Sequence, residues 1–349
     1  MYKYIKNEDF MNFFIPALLF CLTVPISFIL LVIIYIQFAL AVKSKKEVPN
    51  WIYMFGQSFK RRTTTKYDDI TNYTAFKQAN SFILLLILSN IVFVITEYIK
   101  SKNLLQAVYN DIQSQFMVVI VSIILHGILT SIMMFFRKSD ETFRIYSSTQ
   151  AVIGNFFYFA FFLTLSVSLV GLPEKPINIQ IENTNIVIGK TKASYLLDQG
   201  FTFKDKNPDD IIIKKDEDYF YYGKVVELIR DDKSYGFMHF NPIHNSDKLK
   251  DCIITFYNIT PNSEQFSKIK FNNIQLSSLT ISDFKTKPLK DVFNLKPANY
   301  KESKNPNSFS LRIQTVRYML WPSYRIEANF TSDMKPYKYS IGAQHVIWE

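Results

Sequence analysis

The chain has 349 residues, 40 Lys and Arg against 30 Asp and Glu, and a formal net charge of +10. It is 48% apolar, with 32 Phe but only nine Gly and two Cys, which excludes a disordered chain, a collagen-like chain and a disulfide scaffold. Residues 1–172 hold 15 basic and 9 acidic side chains and are dominated by long uncharged apolar stretches; residues 173–349 hold 25 and 21. The expected fold class is a membrane α-helical bundle of four transmembrane helices over 1–172. An extracytoplasmic α+β domain rich in antiparallel strands follows over 173–349.

Crossing a bilayer takes about 20 apolar residues at a rise of about 1.5 Å each. Four stretches meet that length: 13–42, 79–99, 116–136 and 148–172. The last three are bounded by Lys77 and Lys100, by Asp111 and Arg137, and by Arg144 and Pro173. The first is long for one upright helix and contains Pro16 and Pro25, so a tilted span, a kinked span and an interfacial start all fit it.

Orientation is read from Lys and Arg in the short loops. Lys43, Lys45, Lys46, Lys60, Arg61, Arg62, Lys66 and Lys77 follow the first span, and Arg137, Lys138 and Arg144 follow the third. The N-terminus has Lys3 and Lys6, and the remaining loop Lys100 and Lys102. The expectation is a multi-pass protein of the cell membrane with both termini and the whole of 173–349 outside. Ala39-Leu40-Ala41 resembles a signal-peptidase site, but the apolar run before it exceeds the roughly 7–15 residues of a secretory signal. Leu18-Leu19-Phe20-Cys21 has a bulky Phe where a lipoprotein signal needs a small residue.

After the first span, Trp51, Ile52, Phe55 and Phe59 recur at helical spacing ahead of Lys60-Arg61-Arg62. One reading is a short helix in the inner headgroup layer, with Trp51, Phe55, Phe59, Lys60, Arg61 and Arg62 contacting lipid. The other is a helix packed on the bundle. Within the spans, Ser122, His126 and Thr130 fall four apart on one helix face, and Asn90 and Asn155 occupy neighbouring spans. An intramembrane ionisable group is a candidate proton relay or ligand contact. The competing reading is a neutral imidazole bonded to Asn90, Asn155 or Ser122 that ties helices together. Placing both residues at mid-span sets Asn90 level with His126.

From Pro173 the pattern changes to short apolar runs bounded by Asn, Asp, Pro and Gly, which are strand signals. They include 177–181, 186–188, 211–213, 219–222, 252–257, 309–313, 324–330 and 337–341. Two helices are expected: Lys192 to Gln199, ended by Gly200, and Pro288 to Leu295, opened by its proline. Lys190-Thr191-Lys192 and Lys285-Thr286-Lys287 precede these helices at an offset of 95 residues. That offset suggests tandem copies over 186–280 and 281–349; a single mixed sheet is the alternative. Over 186–341 the layout is similar to the tandem α/β repeats of β-lactamase-inhibitor-protein-like and outer-membrane-lipoprotein SmpA-like domains. The resemblance rests on layout rather than a motif, and implies a binding module.

The inventory for catalysis is sparse. No two Gly are closer than eleven residues, so there is no phosphate-cradling loop, dinucleotide fingerprint or nucleophile elbow. No zinc spacing occurs. His239 and His244 with Asp247 and Asp251 match no common ligand pattern, and a surface turn at Asn241-Pro242 accounts for them. Asp205, Asn207, Asp209 and Asp216 fit a calcium-loop template, but Asp210 stands where Gly is required. No cofactor and no catalytic residue is assigned. Basic residues form no stripe interleaved with aromatics, so nucleic acid is not an expected partner. Tyr219, Tyr221, Tyr222 and Tyr235 could line a binding face or pair across strands.

The expected function is a non-enzymatic membrane protein displaying a binding module. Its partners would be the bilayer and a protein or envelope component bound by 173–349. The alternatives are a small transporter subunit using the bundle's polar residues and an envelope-modifying enzyme. Composition, rich in Lys, Ile, Asn and Phe, suits a bacterium.

Overall fold

The computed structural model describes residues 7–59, 72–137, 145–214, 223–315 and 321–344. It divides into two compact units, 1–169 and 170–349. Lys60, Arg61, Arg62, Asp216 and the aromatic run 219–222 lie outside the described residues.

The first unit contains α1 (Asn7–Ser44), α2 (Asn50–Ser58), α3 (Asn72–Ser101), α4 (Leu104–Arg137) and α5 (Ser147–Val170). Among the described residues, four segments are long and apolar enough to cross a membrane: Leu18–Ser44, Asn72–Ser101, Leu104–Ile132 and Ser147–Val170. Their outer faces are apolar, with Ile26 and Val92 each 63% exposed. Neither Pro16 nor Pro25 ends α1, which runs through both prolines for 38 residues. Pro25 has no N–H to give the Cys21 carbonyl, a local loss that the surrounding turns of helix tolerate.

The third apolar helix starts twelve residues earlier than the expected 116. Asp111 is not a flanking charge but a residue of α4, because Asn103 begins the helix within two residues of α3's end. The Asn103 Oδ1 accepts hydrogen bonds from the Leu105 N–H at 3.1 Å and the Gln106 N–H at 3.4 Å, an N-terminal cap. The α3–α4 pair is therefore a tight antiparallel hairpin.

The second unit comprises β1 (Asn178–Ile181), β2 (Thr184–Val187), α6 (Ala193–Asp198), β3 (Thr202–Phe203), β4 (Ile211–Ile213), β5 (Lys224–Arg230), β6 (Lys233–Asn241), β7 (Ser246–Lys248) and β8 (Ile253–Ile259). It continues with β9 (Ile269–Phe271), β10 (Ile274–Gln275), α7 (Ile281–Thr286), α8 (Leu289–Val292), β11 (Tyr300–Lys304), β12 (Ser308–Ile313), β13 (Ser323–Phe330) and β14 (Pro336–Gln344). The expected helix over 288–295 is α8 alone, four residues long, because Pro288 lies between it and α7. Every strand pairing is antiparallel.

Two larger sheets have mirrored strand orders. The small sheet runs β10-β9-β1-β2, and the eight-stranded sheet runs β11-β12-β13-β14-β8-β6-β5-β3. Each is centred on a pair drawn from the two halves of the unit, β9 with β1 and β14 with β8. The mirror divides the chain between β8 and β9, before the expected boundary at 280, and the separate β4–β7 pair has no counterpart. It is a symmetry of strand order and does not establish the sequence repeat.

Alternation along the strands builds the core. Val226, Met238, Tyr257, Ile341, Ile326 and Leu311 lie opposite one another in turn across six strands, and all are buried. Phe284 of α7 is fully buried among Phe293, Phe309, Phe330 and Tyr339, with ring centroids 5.3 to 6.2 Å away. At the β1–β2 turn, Glu182 accepts from the Tyr235 hydroxyl at 2.7 Å and Lys268 Nζ at 2.5 Å, and pairs with Arg230. Arg230 in turn lies 4.4 Å over the Phe201 ring.

Candidate functional site

The polar residues of the helical unit sit at helix crossings. Asn155 on α5, 1% exposed, donates from Nδ2 to the Ser27 carbonyl of α1 at 2.9 Å. The Tyr35 hydroxyl donates to Asn80 Oδ1 at 2.7 Å, and Thr149 Oγ1 to the Ala75 carbonyl at 2.8 Å. Where apolar packing alone gives little preference between helix and lipid, such bonds hold helices in register.

His126 is 3% exposed and sits edge-on to Phe82 with ring centroids 5.9 Å apart. It also hydrogen-bonds to the backbone of Gln78, one turn away on α3. Ser122 and Thr130 are bonded within their own helix, to the carbonyls of Val118 at 2.8 Å and His126 at 2.7 Å. The structure thus does not gather the five residues at one point. Ser122, His126 and Thr130 share α4, while Asn155 reaches α1 and Asn90 meets Gln115.

Asn90 is not level with His126. Gln115 Nε2 donates to Asn90 Oδ1 and to Asp111 Oδ2, the latter at 2.9 Å. Asn110 Nδ2 donates to Glu97 Oε2 at 2.9 Å, farther along the same hairpin. The displacement follows from the early start of α4: the register pairs 90 with 115 and 78 with 126. Sequence reasoning treated Asp111 as a span boundary and passed over Gln115. Their four-residue spacing, which sets both on one helix face, was the available signal.

In α2, Ile52, Tyr53 and Gly56 are buried. A Cβ at Gly56 would run into the Ser147 carbonyl, and one at Gly154 of α5 into the Phe59 ring. Phe59 also packs on Tyr158, with centroids 5.5 Å apart, and Phe55 on Phe59 at 5.2 Å. Trp51 is 39% exposed, its Nε1 donating to Gln37 Oε1 at 3.2 Å. The helix therefore has one face on the bundle and an opposite face, with Trp51 and Met54, left uncovered.

The eight-stranded sheet has a second face, open toward its two edges and closed at β14, where Ser340, Gly342 and Gln344 are buried. Next to its buried row, on the other face, Val225, His239, Phe256, Gly342, Arg325, Arg312 and Lys301 lie opposite one another in turn. One end is apolar: Val225 is 51% and the neighbouring Phe237 42% exposed, and the rings of His239 and Phe256 are 4.7 Å apart. The other end is cationic, through Arg325, Arg312 and exposed Lys301, with Arg325 paired to Glu327.

Among the described residues, no group of three or more His, Cys, Asp or Glu could hold a metal ion. The His244 ring is 3.0 Å from Asp247 Oδ1, and backbone and ring contacts with His244 hold the Asp247 carboxyl below its usual range. Asp209 is engaged by Lys250 at 2.9 Å and Lys248 at 3.1 Å, which likewise lower its carboxyl. Burial pushes the Cys252 thiol up to about 12, helped by Asp247 and Asp251, so it is a poor nucleophile. Compared with known proteins, the chain matches no family model, no curated protein and no solved structure.

Proposed function

We propose that this chain is a non-enzymatic, multi-pass membrane protein whose β-rich unit is an extracytoplasmic binding module. The partner is a protein presenting acidic side chains beside an apolar patch. The observation that carries this reading is the outer face of the large sheet at its two ends, apolar at Val225 and Phe237 and cationic at Arg312 and Lys301. Charge complementarity on such a face directs association, while exposed aromatic side chains supply contact area. The loop charges support an outward-facing β-rich unit.

Two measurements test it. A photo-crosslinker at Phe237 in the full-length protein should capture one specific partner, and Arg312→Glu with Lys301→Glu should abolish that capture. Capture that survives charge reversal would remove the proposed surface. A tag at the C-terminus should react with a membrane-impermeant reagent in intact cells; a tag reached only after lysis would reverse the orientation.

A further inference from the structure

In the α3–α4 hairpin, Asp111 is a carboxylate whose surroundings leave it incompletely satisfied. It is 8% exposed, and its Oδ1 is buried without a hydrogen-bond partner. Its Oδ2 and its own backbone carbonyl accept from Gln115 Nε2 at 2.9 and 3.2 Å. That nitrogen also donates to Asn90 Oδ1. One amide nitrogen carries two hydrogens, so three oxygens compete for them while Oδ1 receives none. The cluster has more acceptors than donors. Glu97, the other carboxylate of the hairpin, is different: Lys100 Nζ lies 2.8 Å from Oε1, and Asn110 Nδ2 donates to Oε2 at 2.9 Å.

No cation among the described residues is placed to answer Asp111. From α3 the charged groups are Lys77 at its far end, and Glu97 and Lys100, bound to each other. The connection carries Lys102, and α4 itself carries only Arg137, at its opposite end. α5 and α2 contain no Asp, Glu, Lys or Arg. The side chains of α1 from Ile15 onward carry a charge only at Lys43.

We propose that Asp111 is a proton-binding site: its carboxyl group holds an exchangeable proton while α3 and α4 are packed together. The ligand is a proton rather than a metal ion for two reasons. A buried Oδ1 admits no hydrated ion, and hard cations take about six to eight oxygens, which this cluster does not supply. Binding adds one proton to one carboxylate oxygen and cancels one negative charge, with no other bond made or broken. The site goes beyond the proposed binding module, since it lies in the helical unit and does not involve the sheet.

The test uses the full-length protein in phosphatidylcholine nanodiscs and infrared difference spectra across steps of pH. At mildly acidic pH, where an ordinary Asp is already ionised, the wild type should show the carbonyl stretch of a protonated carboxylic acid, lost at alkaline pH. Asp111→Asn, which copies the neutral form, should lack the band and keep its melting temperature unchanged over the same pH range. Glu97→Gln should retain the band. Absence of the band from the wild type at mildly acidic pH, or its persistence in Asp111→Asn, overturns the proposal. If Asp111→Asn does not assemble, Asp111→Glu should shift the band's frequency, and an unshifted band overturns it equally.

Discussion

The two units solve opposite problems with similar apolar material. In the helical unit large apolar side chains face outward, Ile26 and Val92 among them, while Ser122, His126 and Asn155 are inside at 0, 3 and 1% exposure. In the β-rich unit Met238, Ile254, Leu311 and Ile341 are completely enclosed, and Arg230, Glu182 and Lys268 form a partly exposed ionic cluster. The difference is one of order along the chain. Unbroken apolar runs make helices that are apolar all round, whereas alternation gives each strand one apolar face. The first arrangement calls for lipid as its solvent and the second for water.

The sharpest way to break this contrast is to remove the lipid. Diluted out of detergent, the full chain should aggregate, while residues 170–349 produced alone should remain dissolved and sediment as a discrete species. A full chain that stays dispersed would erase the distinction.

Within the β-rich unit, Phe284→Ala should cost about 3–5 kcal/mol, because the cavity would lie among four other aromatic rings. Denaturant unfolding of residues 170–349 would measure it. A smaller effect is expected where α7 begins. Thr280 donates its backbone N–H and its hydroxyl to Asp283 Oδ2 at 2.9 and 2.8 Å, and Lys287 Nζ lies 2.8 Å from Oδ1. Chiefly through Lys287, then Thr280, the Asp283 carboxyl is held at about 2 against an ordinary 3.8. Its folded value is the lower one, so its contribution is complete above about pH 4 and disappears as pH falls through about 2. Asp283→Ala should destabilise by about 1 kcal/mol at neutral pH and flatten that acid limb.

The smallest effect belongs to the bundle. His126→Leu should lower the stability of the α3–α4 pair by about 0.6 kcal/mol, the usual scale of an interhelical polar contact in lipid. Thermal unfolding in nanodiscs would read it. A loss as large as that at Phe284 would mean that the two interiors are held together in the same way.

The apolar spans and most strands were legible because their signals are local. Ile177 to Ile181 and Tyr324 to Phe330 carry the alternation that the sheet uses, and α6 ends before Gly200, whose φ of 80° suits glycine. The start of α4 was obscured because Asn110, Asp111, Gln113 and Gln115 resemble loop composition, although all four form bonds within the hairpin, Gln113 with Tyr109. The prolines of α1 left its path open between a tilted span, a kinked span and an interfacial start, and the helix runs through both of them. Strand order was not legible. β1 pairs with β9 across about ninety residues, and nothing in either strand names the other. The residues meeting at Arg325, Arg312 and Lys301 were invisible for the same reason, since register is settled by the whole sheet.

The junction of β8 with β14 has a consequence for biosynthesis. β8 ends at Ile259, yet the strand that covers its free side is Pro336–Gln344, near the C-terminus. While the ribosome is still adding the intervening residues, the nascent polypeptide carries a seven-residue edge rich in Ile, Phe and Tyr with unsatisfied backbone groups. Premature termination anywhere between the two would leave that edge uncapped, so truncated products should be the form most prone to cross-molecular pairing and proteolytic removal.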